Sequence, residues 1–134
     1  MARTGSCLCG EITYTLEGED HPVAVCHCEH CIRQGGSAFS LNMIGHIDQL
    51  TINGPIKTFE DRGENGDAVY VRRKFCGNCG SPIVSEVNEP PGMVAIKVGS
   101  LDDRNDVQPI AQAWCVNKMP WVDIQGVHEM EYES

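Results

Sequence analysis

Apolar and polar residues alternate along most of this chain, which is the pattern of half-buried β-strands. In the stretch EITYTLEG, Ile12, Tyr14 and Leu16 share one face, while two threonines and a glutamate share the other. Further strands are predicted over residues 21–28, 37–44, 49–54, 56–61, 68–75, 82–87, 93–101 and 110–116. Sustained 3.6-residue periodicity is nearly absent, so the fold class predicted is all-β.

Two places depart from this alternation. A single helical turn could follow Cys31, and the glycine pair Gly35 and Gly36 would stop it. The polar segment 128–134 at the C-terminus is expected to fray. Of the two tryptophans, Trp114 and Trp121, we expect core positions, with the wall of a pocket as the alternative.

Length and charge narrow the class of protein. A chain of 134 residues predicts one domain, residues 1–134. The formal charge of −9 disfavours nucleic acid as a partner, because phosphates would be repelled. The one basic run, Arg72 to Lys74, is interpreted as a solvated strand end, with a phosphate-binding patch as the alternative. No apolar stretch is long enough for a membrane span and none resembles a secretion signal, so a cytoplasmic protein without a membrane partner is expected.

The cysteines are the residues that suggest a metal-binding or catalytic function. Seven of the eight cysteines fall into three groups, CLC, CHCEHC and CGNC, and Cys115 stands alone. In a reducing cytosol this number favours metal binding or catalysis over a disulfide framework.

The segment FCGNCGS has the spacing of a zinc knuckle. Cys76 and Cys79 would lie on one side of a tight turn, and Gly77 and Gly80 would allow positive φ so that backbone N–H groups face the sulfurs. A knuckle supplies two of the four ligands of a tetrahedral zinc ion, so a second pair is required.

The segment CLCG is the natural source of that pair. Residues i and i+2 of a strand are too far apart to share one ion, but Gly10 permits the backbone to curl and bring Cys7 and Cys9 together. The four cysteines would then form a closed, structural zinc site. The alternative is that Cys7 and Cys9 are ordinary buried cysteines.

The segment CHCEHC suggests a different kind of site. Cys26, Cys28 and Cys31 can hold one zinc ion and leave a fourth position open, as catalytic zinc sites do. Two alternatives stay open: a fourth ligand from His27, His30 or Cys115 would make the site structural, or the cluster could be redox-active. A regular strand would point His27 to the opposite face, which favours a supporting or packing role. The other three histidines, His21, His46 and His128, are expected at the surface.

The order of these motifs resembles one known family. C-x-C-G, CHC-x-x-C followed by GGSAF, F-C-x-x-C-G-S, VGSLDD and MPW look like the glutathione-dependent formaldehyde-activating enzymes, also called the centromere protein V family. The resemblance spans about residues 4–125. It implies a zinc-stapled, multi-sheet β-fold like that of the Mss-type nucleotide-exchange chaperones. It also implies two zinc ions per chain, a structural one on Cys7, Cys9, Cys76 and Cys79 and a catalytic one on Cys26, Cys28 and Cys31.

The activity implied by the resemblance is a carbon–sulfur lyase reaction, in which glutathione adds to formaldehyde or the adduct is cleaved. A small-molecule thiol and an aldehyde would be the partners, and Cys28, in the middle of its motif, could leave the metal when the substrate sulfur arrives. Arg33 is the first candidate to contact a glutathione carboxylate, with a solvated arginine as the alternative. The competing hypothesis is a non-catalytic zinc-stapled β-module that binds a protein partner. Such a module needs no exchangeable metal position.

Overall fold

A computed structural model describes residues 2–64, 66 and 68–132 of the chain and shows eleven strands among them. The strands are β1 (Arg3–Ser6), β2 (Thr13–Leu16), β3 (Val23–Cys26), β4 (Ser40–His46), β5 (Leu50–Asn53), β6 (Ile56–Asp61), β7 (Val71–Cys76), β8 (Pro82–Val87), β9 (Met93–Lys97), β10 (Ala111–Ala113) and β11 (His128–Glu129). One α-helix, α1 (Glu29–Gly35), and three 3-10 turns, Ile47–Gln49, Val98–Ser100 and Cys115–Asn117, complete the described elements. The mostly-β, multi-sheet fold predicted from the alternation is confirmed.

The strands form two sheets. The smaller is antiparallel with the order β1-β2-β5, and the larger has the order β11-β10-β3-β4-β9-β8-β7-β6. All neighbours in the larger sheet are antiparallel except β10, which runs parallel to both β3 and β11. Strands β3, β4 and β9 therefore lie at the middle of the larger sheet, and the three-cysteine motif starts at the end of β3.

The hydrophobic core joins one face of each sheet. Ile12, Tyr14 and Leu16 are fully buried, as the alternation predicts, and they belong to the same core cluster as Met43 and Ile96 of the larger sheet. A β-bridge from Gly5 to Leu101 joins β1 to the segment that follows the 3-10 turn after β9. A side chain at Gly5 would collide with the Tyr14 ring, so only glycine allows this approach.

The opposite face of the larger sheet is polar and also buried. The register pairs Asn42 with Lys97 and Arg73 with Ser85, so these side chains point to the face away from Ile96. Each of the four is less than 9% exposed. The cysteines of CHCEHC lie on this side of the molecule, because Cys26 pairs in register with Ser40, two residues before Asn42.

The helix begins earlier than the sequence indicated. It runs from Glu29 to Gly35 and so includes Cys31, because the Cys28 side chain accepts a hydrogen bond from the Cys31 N–H and caps the first turn. Gly36 ends the helix at φ 71°, consistent with the predicted stop at the glycine pair.

The C-terminal segment also differs from expectation. The prediction that residues 128–134 fray is wrong for 128–132, because His128 and Glu129 pair with β10 and the Tyr132 carbonyl accepts from the Trp114 N–H. Residues 133–134 lie outside the described part. Trp121 is 71% exposed, so its expected core position is wrong.

Within the described part of the chain, no helix combines the length and the apolar character needed to cross a membrane.

Candidate metal centres

The first cysteine cluster joins two segments far apart in the chain. Four Sγ atoms lie within 4.8 Å of one another and belong to Cys7, Cys9, Cys76 and Cys79, which we call the closed cluster. The Cys9 sulfur is 3.5 Å from that of Cys7 and 3.7 Å from that of Cys76. The structure thus brings together the same four cysteines that the sequence analysis paired as ligands of one ion.

Backbone N–H groups surround the sulfurs of the closed cluster. Asn78 and Cys79 donate to Cys76 Sγ at 3.4 and 3.5 Å, and Ile12 donates to Cys7 Sγ at 3.3 Å. Such donors favour the thiolate form, which is the form that binds metal. The curl after Cys9 has Gly10 at φ 85°, as anticipated.

Only one of the two knuckle glycines behaves as predicted. Gly80 has φ 80°, whereas Gly77 is not in the positive-φ region. A Cβ at position 77 would lie 2.7 Å from side-chain carbons of Lys57, but that side chain is exposed and flexible and can move aside, so the structure does not require glycine there.

The second cluster is built where β3 meets α1. The sulfurs of Cys26, Cys28 and Cys31, which we call the open cluster, lie within 4.8 Å of one another, and all three residues are half-buried. Cys26 ends the strand, Cys28 caps the helix and Cys31 lies in its first turn. Among residues 2–64, 66 and 68–132, no fourth cysteine, histidine or carboxylate joins the group.

Each of the three suggested fourth ligands contacts another group, and none of them lies with the three sulfurs. His27 is fully buried with its Nε2 2.8 Å from Gln112 Oε1, which matches the supporting or packing role proposed for it. His30 Nδ1 lies 2.9 Å from an oxygen of Asp61. The Cys115 thiol faces the Gln112 carbonyl at 3.6 Å. The open cluster therefore has three protein ligands available.

Two buried cations accompany the open cluster. Arg73 is only 2% exposed, and its Nη1 lies 3.8 Å from Cys31 Sγ, so the interpretation of Arg72 to Lys74 as a solvated strand end is wrong at this position. Hydrogen bonds from the other two thiols lower the pKa of Cys31, and the charges of Arg73 and Lys97 lower it further. The same bonds raise the pKa of Cys26, so negative charge concentrates at Cys31. The surroundings thus favour a thiolate before any metal is considered.

Arg73 is held by a buried carboxylate, Asp61. The Arg73 Nε donates to Asp61 at 2.8 Å, and the Tyr70 hydroxyl and the Gly63 N–H donate at 3.2 and 3.0 Å. Burial by itself raises the pKa of Asp61, but the bonds from Arg73, Gly63 and His30 outweigh it and hold the pKa at about 2. Asp61 is therefore a fixed anion that sets the positions of Arg73 and His30.

A cavity of about 570 Å³ opens at Cys28, and we call it the Cys28 cavity. Tyr70 and Trp114 form part of its wall, which supports the pocket-wall interpretation for Trp114. Its lining residues are Cys28, Glu29, His30, Gly63, Glu64, Tyr70, Val71, Val87, Asn88, Glu89, Trp114 and Asn117. The volume is within the range of small-molecule sites.

Arg33, the sequence-based candidate for glutathione, is not among the residues that line this cavity. Its side chain is 82% exposed and its Nε is 3.5 Å from a Glu29 oxygen one helical turn earlier. It lines an adjoining cavity of about 450 Å³, which also contains Arg73 and shares Glu29, His30 and Glu64 with the Cys28 cavity. A contact between Arg33 and a substrate remains a prediction.

Sequence reasoning missed the roles of Arg73 and Lys97 beside the open cluster. Each lies on the same face of its strand as a buried apolar residue two positions earlier, Val71 for Arg73 and Ala95 for Lys97. A charged residue at an inward position of a strand was the available signal, because such a residue needs a buried counter-charge.

The chain is similar to known proteins in both sequence and structure. A family model described as glutathione-dependent formaldehyde-activating enzyme matches residues 2–117. No curated protein matches the chain. The crystal structure of a Rhodobacter sphaeroides protein, a structural genomics target, superimposes with a TM-score of 0.62 at 20% identity, over 79% of this chain and 91% of that one. At this identity the superposition supports the fold alone.

Proposed function

Because the chain belongs to the glutathione-dependent formaldehyde-activating enzyme family, we propose that it is a zinc-dependent carbon–sulfur lyase acting on a thiol–aldehyde adduct. S-hydroxymethylglutathione, formed from glutathione and formaldehyde, is the adduct that the family description suggests. The observation that carries the proposal is the open cluster, with three half-buried thiols, no fourth protein ligand among the described residues and two buried cations beside it.

The two cysteine clusters suit zinc. A tetrahedral zinc ion bound to thiolates at about 2.3 Å separates neighbouring sulfurs by about 3.8 Å. The Sγ distances of Cys9 to Cys7 and to Cys76, 3.5 and 3.7 Å, agree with that edge. Four thiols leave no position for a substrate, whereas three thiols leave one, so the closed cluster would be structural and the open cluster catalytic.

The reaction transfers one proton and forms one bond. The thiol sulfur donates an electron pair to the aldehyde carbon, the carbonyl π electrons move to oxygen, and the oxygen takes up the proton that the thiol releases. Bound zinc would keep a small thiol in its nucleophilic thiolate form and polarise the carbonyl. The protein supplies the fixed positive charge of Arg73, which Asp61 holds 3.8 Å from Cys31, and this charge favours anionic sulfur in the site.

The test is acceleration of adduct exchange. Zinc-loaded protein is mixed with glutathione and carbon-13 formaldehyde, and exchange between free and adduct carbon is followed by exchange spectroscopy. We expect the wild type to accelerate exchange and folded Cys31→Ser to lose the acceleration. Cys115→Ser is the matched control, since Cys115 is half-buried like the ligands but belongs to neither cluster.

One outcome would refute the proposed activity. Suppose that the wild type carries two zinc ions but does not accelerate exchange for any of several thiol and aldehyde pairs. The lyase assignment is then wrong. The zinc-stapled binding module is then the better description of the protein.

A further inference from the structure

Strand β6 is an open edge of the larger sheet. It is the last strand in the order of that sheet and pairs with β7 alone among the described strands. All six of its residues, Ile56–Asp61, stay in register with β7, without a bulge or a proline. Because backbone N–H and C=O groups point alternately to the two sides of a strand, every second residue of β6 offers both groups on the side away from β7.

The other sheet edges are shorter or partly covered. β11 has two residues, and β1 and β5 have four each. β1 also contacts the chain after β9, since Gly5 bridges to Leu101 and the Thr4 carbonyl accepts from the Asp102 N–H at 2.9 Å. β6 is therefore the longest strand edge that the described part of the chain presents for pairing.

The side chains of β6 protect this edge only in part. Residues 57–60 are exposed, and Phe59, near the middle of the strand, is 57% exposed. Bulges, prolines and charged side chains commonly protect an edge strand from pairing. The charges of β6 are of both signs, with Lys57 against Glu60 and Asp61. They oppose pairing with a second copy only in those registers that bring like charges together.

Symmetry limits the registers in which two copies can pair. In a two-fold symmetric dimer with the axis perpendicular to the sheet, the two β6 strands run antiparallel and each face of the sheet stays continuous. Opposite residues then share a face, which requires that one residue of β6 lies on the axis and faces its own copy. The inner residues that can lie on the axis are Lys57, Thr58, Phe59 and Glu60.

The charges select one of these registers. An axis through Lys57 or Glu60 places like charges opposite each other, and an axis through Thr58 places Lys57 against Phe59. An axis through Phe59 pairs the two aromatic rings and sets each Lys57 opposite the Asp61 of the other copy. The register with the best charge complementarity thus also covers the exposed aromatic ring of the strand.

We propose that the chain forms a two-fold dimer in which the β6 edges of two copies pair antiparallel, with Phe59 on the axis. The two larger sheets become one continuous sheet. Each Lys57 stands opposite the Asp61 of the other copy, and Asp61 is the carboxylate that holds Arg73 beside Cys31. The second copy therefore places a cation opposite the residue that supports the open cluster. The proposal does not depend on the lyase assignment.

Sedimentation equilibrium of the zinc-loaded full chain measures the association. At about 0.15 M salt the repulsion between two chains of formal charge −9 is screened beyond about 8 Å. Two paired edge strands make a small interface, so we expect a weak dimer and extend the measurement to about 1 mM protein. The dimer fraction should rise with concentration, and hydrogen exchange of the amides in residues 56–61 should slow as it rises. A monomer over the whole range, or slowed exchange only outside residues 56–61, would overturn the proposal.

Phe59→Glu and Phe59→Lys test the position of the axis. Each variant alone places like charges opposite each other, so we expect dimerisation to weaken at least 10-fold. An equimolar mixture of the two variants should recover the dimer, because each glutamate then faces a lysine. Val116→Glu is the matched control, since Val116 is 53% exposed but lies outside β6, and it should associate like the wild type. A mixture that stays as weakly associated as its components would contradict an axis through Phe59.

Thr58→Lys and Thr58→Glu distinguish this register from the one centred on Thr58. In the proposed dimer position 58 faces Glu60 of the other copy, so lysine should strengthen association about 3-fold and glutamate should weaken it. With the axis through Thr58, both substitutions would weaken association. Thr51→Lys makes the same change at an exposed position of β5, so it controls for net charge and should leave association unchanged. Weakening by both Thr58 substitutions would show that Phe59 does not lie on the axis.

Discussion

Asp61 is the carboxylate to which several polar groups on one face of the larger sheet are hydrogen-bonded. It is 4% exposed and receives hydrogen bonds from an arginine, a tyrosine hydroxyl and a backbone N–H, with His30 Nδ1 a further 2.9 Å away. Arg73, the arginine, is itself buried and contacts Cys31. A single carboxylate thus determines where a positive charge stands beside the open cluster.

Asp61→Asn should therefore be strongly destabilising. The substitution leaves the Arg73 guanidinium buried without its counter-ion, and removal of one partner of a buried pair costs about 3–5 kcal/mol. Urea unfolding at pH 7 measures the loss. Asp123→Asn, an exposed change of the same kind, should alter the free energy of unfolding by less than about 0.5 kcal/mol.

The pH dependence of this loss has a defined sign. The folded-state pKa of Asp61, about 2, is below its ordinary value of 3.8. The stability that the carboxylate contributes is therefore fully present above about pH 4 and lost as pH falls through 2. The difference between wild type and Asp61→Asn should be constant from pH 8 to pH 5. A difference that shrinks between pH 7 and pH 6 would mean that another group, and not Asp61, controls it.

Helix α1 is the element that assembles the open cluster, and it is held mainly at its ends. The seven-residue helix carries Cys31, is capped by the Cys28 side chain and ends at Gly36, whose N–H donates to the Ile32 carbonyl. A helix this short is not stable alone, so its end contacts determine whether the two cysteines stay in place.

Gly36→Ala should weaken metal retention at the open cluster. Gly36 has φ 71° and a Cβ there would meet no atom within 4 Å, so the cost is backbone strain alone, roughly 1–2 kcal/mol. Gly35→Ala is the matched control, because Gly35 has helical φ and equally open space, and alanine there favours the helix. Zinc content after a timed exposure to chelator measures the effect. Equal retention in the two variants would show that the helix end does not support the cluster.

The strands were predictable and the helix was not, for physical reasons. Ile12, Tyr14 and Leu16 alternate with polar residues, so their common burial could be inferred from local pattern. Helix α1 has no apolar stripe and no buried residue, and its cap is a cysteine rather than a common capping residue, so its start gave no local signal.

The grouping of the cysteines was also predictable, because the spacing within each motif is local and a two-ligand knuckle needs a second pair of ligands. The charge environment was not predictable. Arg73 and Lys97 reach the open cluster through sheet pairings between distant segments. β11 was missed for the same reason, since its two polar residues are held by a parallel pairing with β10 that no local pattern indicates. A single domain over residues 1–134 remains a prediction.

Over the whole molecule, the two cysteine clusters differ in what they connect. The closed cluster joins the loop after β1 to the turn between β7 and β8, and it contacts the hydrophobic core through Cys7 and Cys76. The open cluster joins only neighbouring residues of one segment, 26–31. Loss of metal from the closed cluster should therefore destabilise the fold, and loss from the open cluster should not.

Chelation tests this difference without mutation. Mild chelator should remove about one zinc ion per chain, from the half-buried open cluster, while the far-UV circular dichroism stays unchanged. Zinc is counted by metal analysis at each chelator concentration. Release of both ions together with unfolding would contradict the presence of two separate sites.

Substitution of single cysteines tests which cluster is needed for stability and which one can lose metal without unfolding. Cys79→Ser removes a proposed zinc ligand from the closed cluster, where metal binding would be coupled to folding and would contribute on the order of 10 kcal/mol. Loss of even a few kcal/mol would lower the melting temperature of a chain of this size by more than about 10 °C. Cys31→Ser should lose zinc from the open cluster and melt within about 3 °C of the wild type, and Cys115→Ser should change neither zinc content nor melting temperature. If Cys31→Ser unfolds as readily as Cys79→Ser, the open cluster is structural, and a binding module explains the chain better than a lyase.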